Sequence, residues 1–221
     1  MTTARQLGFA VPQEQDLYRL EVRTGIDAGV WLVERQLVRT PDGILYNEGL
    51  TRIQAYDALQ TYPALREAGF ELVPVTVLLY GIQHYKDFYE MLRGTSQLTG
   101  SGTAEQEDGR LFLGTPNVIA GEELQYRGLR NDRPSAWIEP KNGTVARLNK
   151  ITLWGVGEDS EVESEKPAHL TYMYNGRGNR FVVLGVRFYG DVIVNANWDP
   201  LVEGLGGGAR LAKKIDKLTY P

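Results

Sequence analysis

The stretch Thr144–Trp198 reads TVARLNKITLWGVG at 144–157, AHLTYMYN at 168–175, GRGN at 176–179, RFVVLGVRF at 180–188 and DVIVNANW at 191–198. Short runs rich in Val, Ile, Leu, Thr, Tyr and Phe, parted by Gly and Asn, are the pattern of strands joined by tight turns. The segment therefore reads as a β-meander, interrupted by the acidic run GEDSEVESEK at 157–166. It sets the expected fold class: α+β and β-rich, with an antiparallel sheet, sandwich or barrel formed mainly by the C-terminal half. Two helices from the N-terminal half pack on it, and a short C-terminal helix closes the chain.

Upstream, residues 1–15 are polar and aperiodic and read as an arm. DLYRLEVRT at 16–24 sets Leu17, Arg19, Glu21 and Arg23 against Tyr18, Leu20 and Val22, the alternation of a half-buried strand. VWLVERQLVRT at 30–40 is a second strand, and Pro41-Asp42-Gly43 a turn before Ile44 to Tyr46. Thr51 and Gln54 fit a capping box, with Ile53, Tyr56 and Leu59 following at helical spacing. Pro63 opens a short further helical turn that Gly69 ends. FELVPVTVLLY at 70–80 is the most apolar run and reads as a buried strand, and GIQHYKDFYEMLR at 81–93 as an amphipathic helix stopped by Gly94.

GTSQLTGSGTAEQEDG at 94–109 offers almost nothing to bury and reads as a linker. Short strands are expected at 111–113 and 117–120, and a loop over 121–140. The expected division is an arm at 1–15, a mixed α/β region at 16–93, a flexible loop or linker at 94–109, an antiparallel β region at 110–203, and a glycine hinge with a terminal helix at 204–221. The whole is short enough to be a single domain.

Composition narrows the chemistry. The 221 residues include 24 Lys+Arg against 28 Asp+Glu, a net charge of −4, so nucleic acid is not the expected partner. There is no cysteine, which removes disulfides, thiolate nucleophiles and Cys-based zinc sites. No run of about 18 apolar residues suggests a membrane span, and the first residues carry no signal-peptide core. The expected location is cytoplasmic or particle-associated.

Few motifs point to a reaction. GLGGGA at 204–209 has dinucleotide-turn spacing, but no strand and acidic partner follow it in this sequence, so it reads as a hinge. His84 and His169 are the only histidines and lie far apart in sequence, where a His-only metal site needs three ligands. Ser96, Ser101, Ser135, Ser160 and Ser164 fall in expected loops without a nucleophile elbow. A catalytic alternative joins Asp42, Glu139 and Lys141, the acid-acid-lysine set of metal-dependent nucleases, weakened by Pro140 inside the expected strand. Tyr126, Arg127, Arg130, Arg133 and Trp137 form an Arg/aromatic cluster suited to an interface, joined by Lys213, Lys214 and Lys217 of the basic tail. Trp154, Tyr172, Tyr174 and Trp198 offer a glycan- or peptide-binding face as a further alternative.

The expectation is a non-enzymatic structural or assembly subunit of a larger particle, of the kind found in viral capsids, connectors and tails. Its partners are other protein subunits, as a homo- or hetero-oligomer, with no cofactor and no metal.

Overall fold

The structure is a computed structural model. It describes residues 8–23, 25, 27–40, 43–44, 51–105, 111–118, 126–129, 136–138, 145–148, 170–173, 180–188, 192–196 and 208–215. In chain order these hold β1 (Leu17–Val22), β2 (Gly29–Glu34), β3 (Arg39–Thr40), β4 (Gly43–Ile44), α1 (Arg52–Thr61), α2 (Pro63–Glu67), β5 (Glu71–Leu72), α3 (Val75–His84) and α4 (Lys86–Leu92). The strands β6 (Thr95–Glu105), β7 (Leu111–Gly114), β8 (Pro116–Val118), β9 (Tyr126–Leu129), β10 (Ala136–Ile138) and β11 (Val145–Leu148) follow. The last are β12 (Leu170–Met173), β13 (Arg180–Val186), β14 (Val192–Asn195), β15 (Gly208–Ala209) and β16 (Leu211–Ile215). The fold is mixed α+β and β-rich, with two principal sheets; among the described residues the strands close no barrel.

The smaller sheet has the order β1-β2-β16-β5. β1 keeps its expected alternation: Tyr18, Leu20 and Val22 are buried while Arg19 and Glu21 face out. The Arg35 amide donates to the Asp16 carbonyl at 2.8 Å, so even-numbered residues of β1 bond inward to β2 and odd-numbered ones face the open edge. Side chains cover much of that edge. Tyr85 Oη donates to the Glu21 carbonyl at 2.9 Å and Arg35 Nε to the Leu17 carbonyl at 3.2 Å. A strand seeking to add there would have to displace both.

The larger sheet runs β10-β7-β6-β13-β14-β12-β11, with β15 alongside β6. This corrects the meander. β14 lies between β13 and β12 and pairs parallel with β12, so the strands are not stacked in chain order. Sequence signals local strand character and turn positions, but not which strand a returning chain will choose.

Four helices are described rather than two. α1 opens with the expected capping box: Gln54 N donates to Thr51 Oγ1 at 3.3 Å, and Thr51 N to Gln54 Oε1 at 3.0 Å. α2 starts at Pro63 and ends before Gly69, whose φ of +77° is the left-handed turn a glycine takes without strain. The stretch 70–80 departs from its reading as a strand. Only Glu71 and Leu72 are extended, Pro74 is the N-cap, and α3 runs on through His84. Every residue from Val75 to Gln83 is buried, so the segment carries no apolar-polar period by which helix and strand differ. The proline lacks an N–H and its fixed φ suits a helix start. The single helix expected over 81–93 is broken at Tyr85, and α4 folds back so that Phe88 presses on Gly81, where a Cβ would lie 2.4 Å from the ring.

The linker expected over 94–109 is largely β6, which runs along the large sheet between β13 and both β7 and β15. Its small residues fit a place with no room: a Cβ on Gly100 would lie 2.2 Å from the Leu72 carbonyl oxygen. The strand faces α3 with hydroxyls, and Ser101 Oγ accepts from the Val75 amide at 3.0 Å. Thr99 Oγ1 donates to the Val182 carbonyl at 2.8 Å.

The expected terminal helix is likewise a strand. Gly208–Ala209 pairs with β6 and Leu211–Ile215 inserts between β2 and β5, so one segment stitches the two sheets together. Two cores result. One joins β1, β2, α3 and α4 to Val182, Leu184 and Val186, and the other joins α1 and α2 to Leu98, Phe181 and Val183. β13 is thus buried on both faces, its even residues in one core and its odd residues in the other.

Candidate functional site

Past Val183 the odd face of β13 is no longer covered by α1 and α2, and a groove of about 400 Å³ opens there. Its floor is Gly185, where an added Cβ would meet only Ser96 Oγ at 3.9 Å. Val183 and Ile193, on the same face as Gly185, supply apolar wall, Ser96 and Asn195 supply polar groups, and Val186 borders the groove while its side chain stays in the opposite core. Among the described residues no Asp, Glu, His, Lys or Tyr lines it.

Beside the groove stands Phe188, 71% exposed, the one large hydrophobic side chain exposed among the described residues. It does not dangle. Its ring lies on Gly94, where a Cβ would come within 2.3 Å of it. Its carbonyl accepts from Arg93 Nε at 2.7 Å, and the Gly94 amide donates to the Val186 carbonyl at 2.7 Å. Arg93 also pairs with Glu90 at 3.3 Å. Gly94 itself ends α4 with φ +76°, as its position in the sequence suggests.

A second unusual place lies inside, where β2 meets the β15–β16 segment. Arg210 is buried and donates from one terminal nitrogen to the carbonyls of Glu34, at 3.0 Å, and Arg35. Glu34 is pushed up to about 7 by burial, against the opposing pull of the Leu211 amide and the Arg210 charge, with Asp16 adding repulsion. Burial pulls Arg210 down to about 10 while Glu34 pulls it back up. Glu34 Oε2 and Arg210 Nε are buried without a hydrogen-bond partner. This pair is a tension in the scaffold, and neither residue lines the groove beside Phe188.

The residues singled out from sequence are scattered. Lys213 and Lys214 lie on β16, and both fold back on the protein, Lys213 Nζ 5.9 Å above the Phe70 ring and Lys214 Nζ 5.5 Å above Trp31. Tyr126 and Arg127 fall on β9, Trp137 on β10 and Tyr172 on β12. Arg130, Arg133, Lys217, Asp42, Glu139, Lys141, His169, Trp154, Tyr174, Trp198 and the acidic run lie outside the described residues. His84 sits on α3 with its ring 4.1 Å from that of Tyr80, and burial, then the Arg23 charge, lower its pKa. Ser96 and Ser101 are on β6 rather than in a loop. Among the described residues no group of three His, Asp or Glu side chains is placed to hold a metal ion, and no helix is long and apolar enough to cross a membrane.

Sequence reasoning passed over Phe188, Gly185 and Gly94 as a set. A signal was present: a glycine inside the apolar run RFVVLGVRF marks a bulge or an open face. No protein family, curated protein or solved structure matches this chain.

Proposed function

We propose that this protein is a non-enzymatic assembly subunit that acts through a protein–protein contact centred on Phe188 and the groove beside it. The observation that carries the reading is an aromatic side chain held in the open by its own neighbours. Exposing a phenyl ring costs on the order of 2 kcal/mol relative to burying it. Here the ring is braced by Gly94 and by the Arg93 bond to its carbonyl, so a partner would lose little conformational freedom on docking to it. Pre-positioned aromatics with arginine at the rim, next to a pocket, are the usual anchors of protein interfaces. A subunit of a larger particle, such as a capsid, connector or tail component, presents surfaces of this kind.

The test is native mass by light scattering on the purified chain over a range of concentrations. A discrete multiple of the monomer mass, or a ladder that grows with concentration, supports the reading. A monomer at every concentration counts against self-assembly.

A further inference from the structure

We infer that the Phe188 groove is a two-fold contact with a second copy of this chain, the Phe188 ring of each copy entering the groove of the other. This rests on the assembly reading and names its partner.

Three features select a second copy. The knob and the hole lie on one patch: Phe188 is itself a lining residue of the groove it borders. A foreign partner needs only one of the two, whereas a two-fold interface brings the same patch to both sides and must hold both halves of the fit. The hole suits the knob chemically. It has an apolar wall of Val183 and Ile193 over a floor that lacks a Cβ at Gly185.

Charge points the same way. Glu90, Arg93 and Phe188 form a continuous chain of contacts at the rim, with Glu90 and Arg93 both about half exposed, and Arg187 adjoins them. The rim therefore carries both signs, which a two-fold rotation can set against each other. A nucleic acid or an anionic ligand would call for a rim of one sign.

The test compares four samples by analytical ultracentrifugation at physiological salt, from micromolar to millimolar protein: wild type, Phe188→Ser, Gly185→Leu, and an equimolar mixture of the two variants. Phe188→Ser removes the knob, and Gly185→Leu fills the hole. Each is expected to weaken self-association about tenfold or more, as loss of an anchor residue does. The mixture is expected to associate more tightly than either variant alone, because a mixed pair keeps one Phe188 facing one groove whose Gly185 floor is still open. A merely structural role for these residues would give no such rescue. Ser96→Leu fills the same groove from β6 and replaces Gly185→Leu should that variant fail to fold.

Wild-type association that neither substitution weakens, or that the mixture does not restore, overturns the two-fold contact and leaves assembly through another surface standing. Wild type that stays monomeric throughout overturns both the contact and self-assembly.

Discussion

Glu34 illustrates how much a single buried proton can matter. Below its ordinary value of 4.5 the carboxyl is protonated in folded and unfolded chains alike and costs the fold nothing. Between there and about 7 the unfolded chain gives up its proton first, so stability falls as pH rises through this window and stays low above it. The shift is worth about 3 kcal/mol at most, and nearer 2 once partial solvent access is allowed for. Glu34→Gln should therefore raise the unfolding free energy at pH 8 by about 1–2 kcal/mol, read from urea denaturation, and flatten its change between pH 5 and 8. An unchanged pH profile would show that Glu34 is not the group responsible. Gly94 gives a second residue-scale prediction. Gly94→Ala meets both a positive φ and the Phe188 ring. It should cost about 2 kcal/mol or more in thermal denaturation, and about 1 in a Phe188→Ala background, where only the backbone strain is left.

At the scale of elements, the start of α3 depends on a strand distant in sequence. Pro74 offers no side-chain cap, and the Val75 amide finds its acceptor in Ser101 on β6. Ser101→Ala would leave that amide buried and unpaired, a loss of about 1–3 kcal/mol measurable by chemical denaturation. A change within a few tenths of a kcal/mol would mean that the helix end finds another partner. The elements legible in sequence were those with a local device: the Thr51–Gln54 box, Pro63 and Gly69 around α2, and the alternation of β1. β6 was illegible because Gly, Ser and Thr are chosen in a linker for solubility and in this strand for size. Only the Leu72 backbone pressed against Gly100 tells the two apart. α3 was illegible because burial on every side erases the helical period.

For the whole molecule, the C-terminal segment decides whether the layers hold together. Ala209 and Leu211 belong to one core and Ala212 to the other, and β16 is the only described strand paired with β5. A chain ending at residue 207 should lose the β2–β16–β5 pairing, the β15–β6 pairing and Arg210 itself with its bonds to the Glu34 and Arg35 carbonyls. It should show no cooperative thermal transition by circular dichroism. Retention of a transition like that of the full chain would restore the reading of this segment as a terminal element on a glycine hinge.

The amino-acid sequence alone determined the class of the protein: β-rich, cysteine-free, with strand, cap and turn signals at the positions where local chemistry acts. Tertiary structure decided which strands became neighbours, that a glycine-rich stretch and a basic tail were strands, and that Phe188 stands beside an open groove. The division has a physical cause. Caps, turns and alternation depend on atoms within a few residues, whereas strand order and the cover over a sheet face depend on residues far apart in the chain.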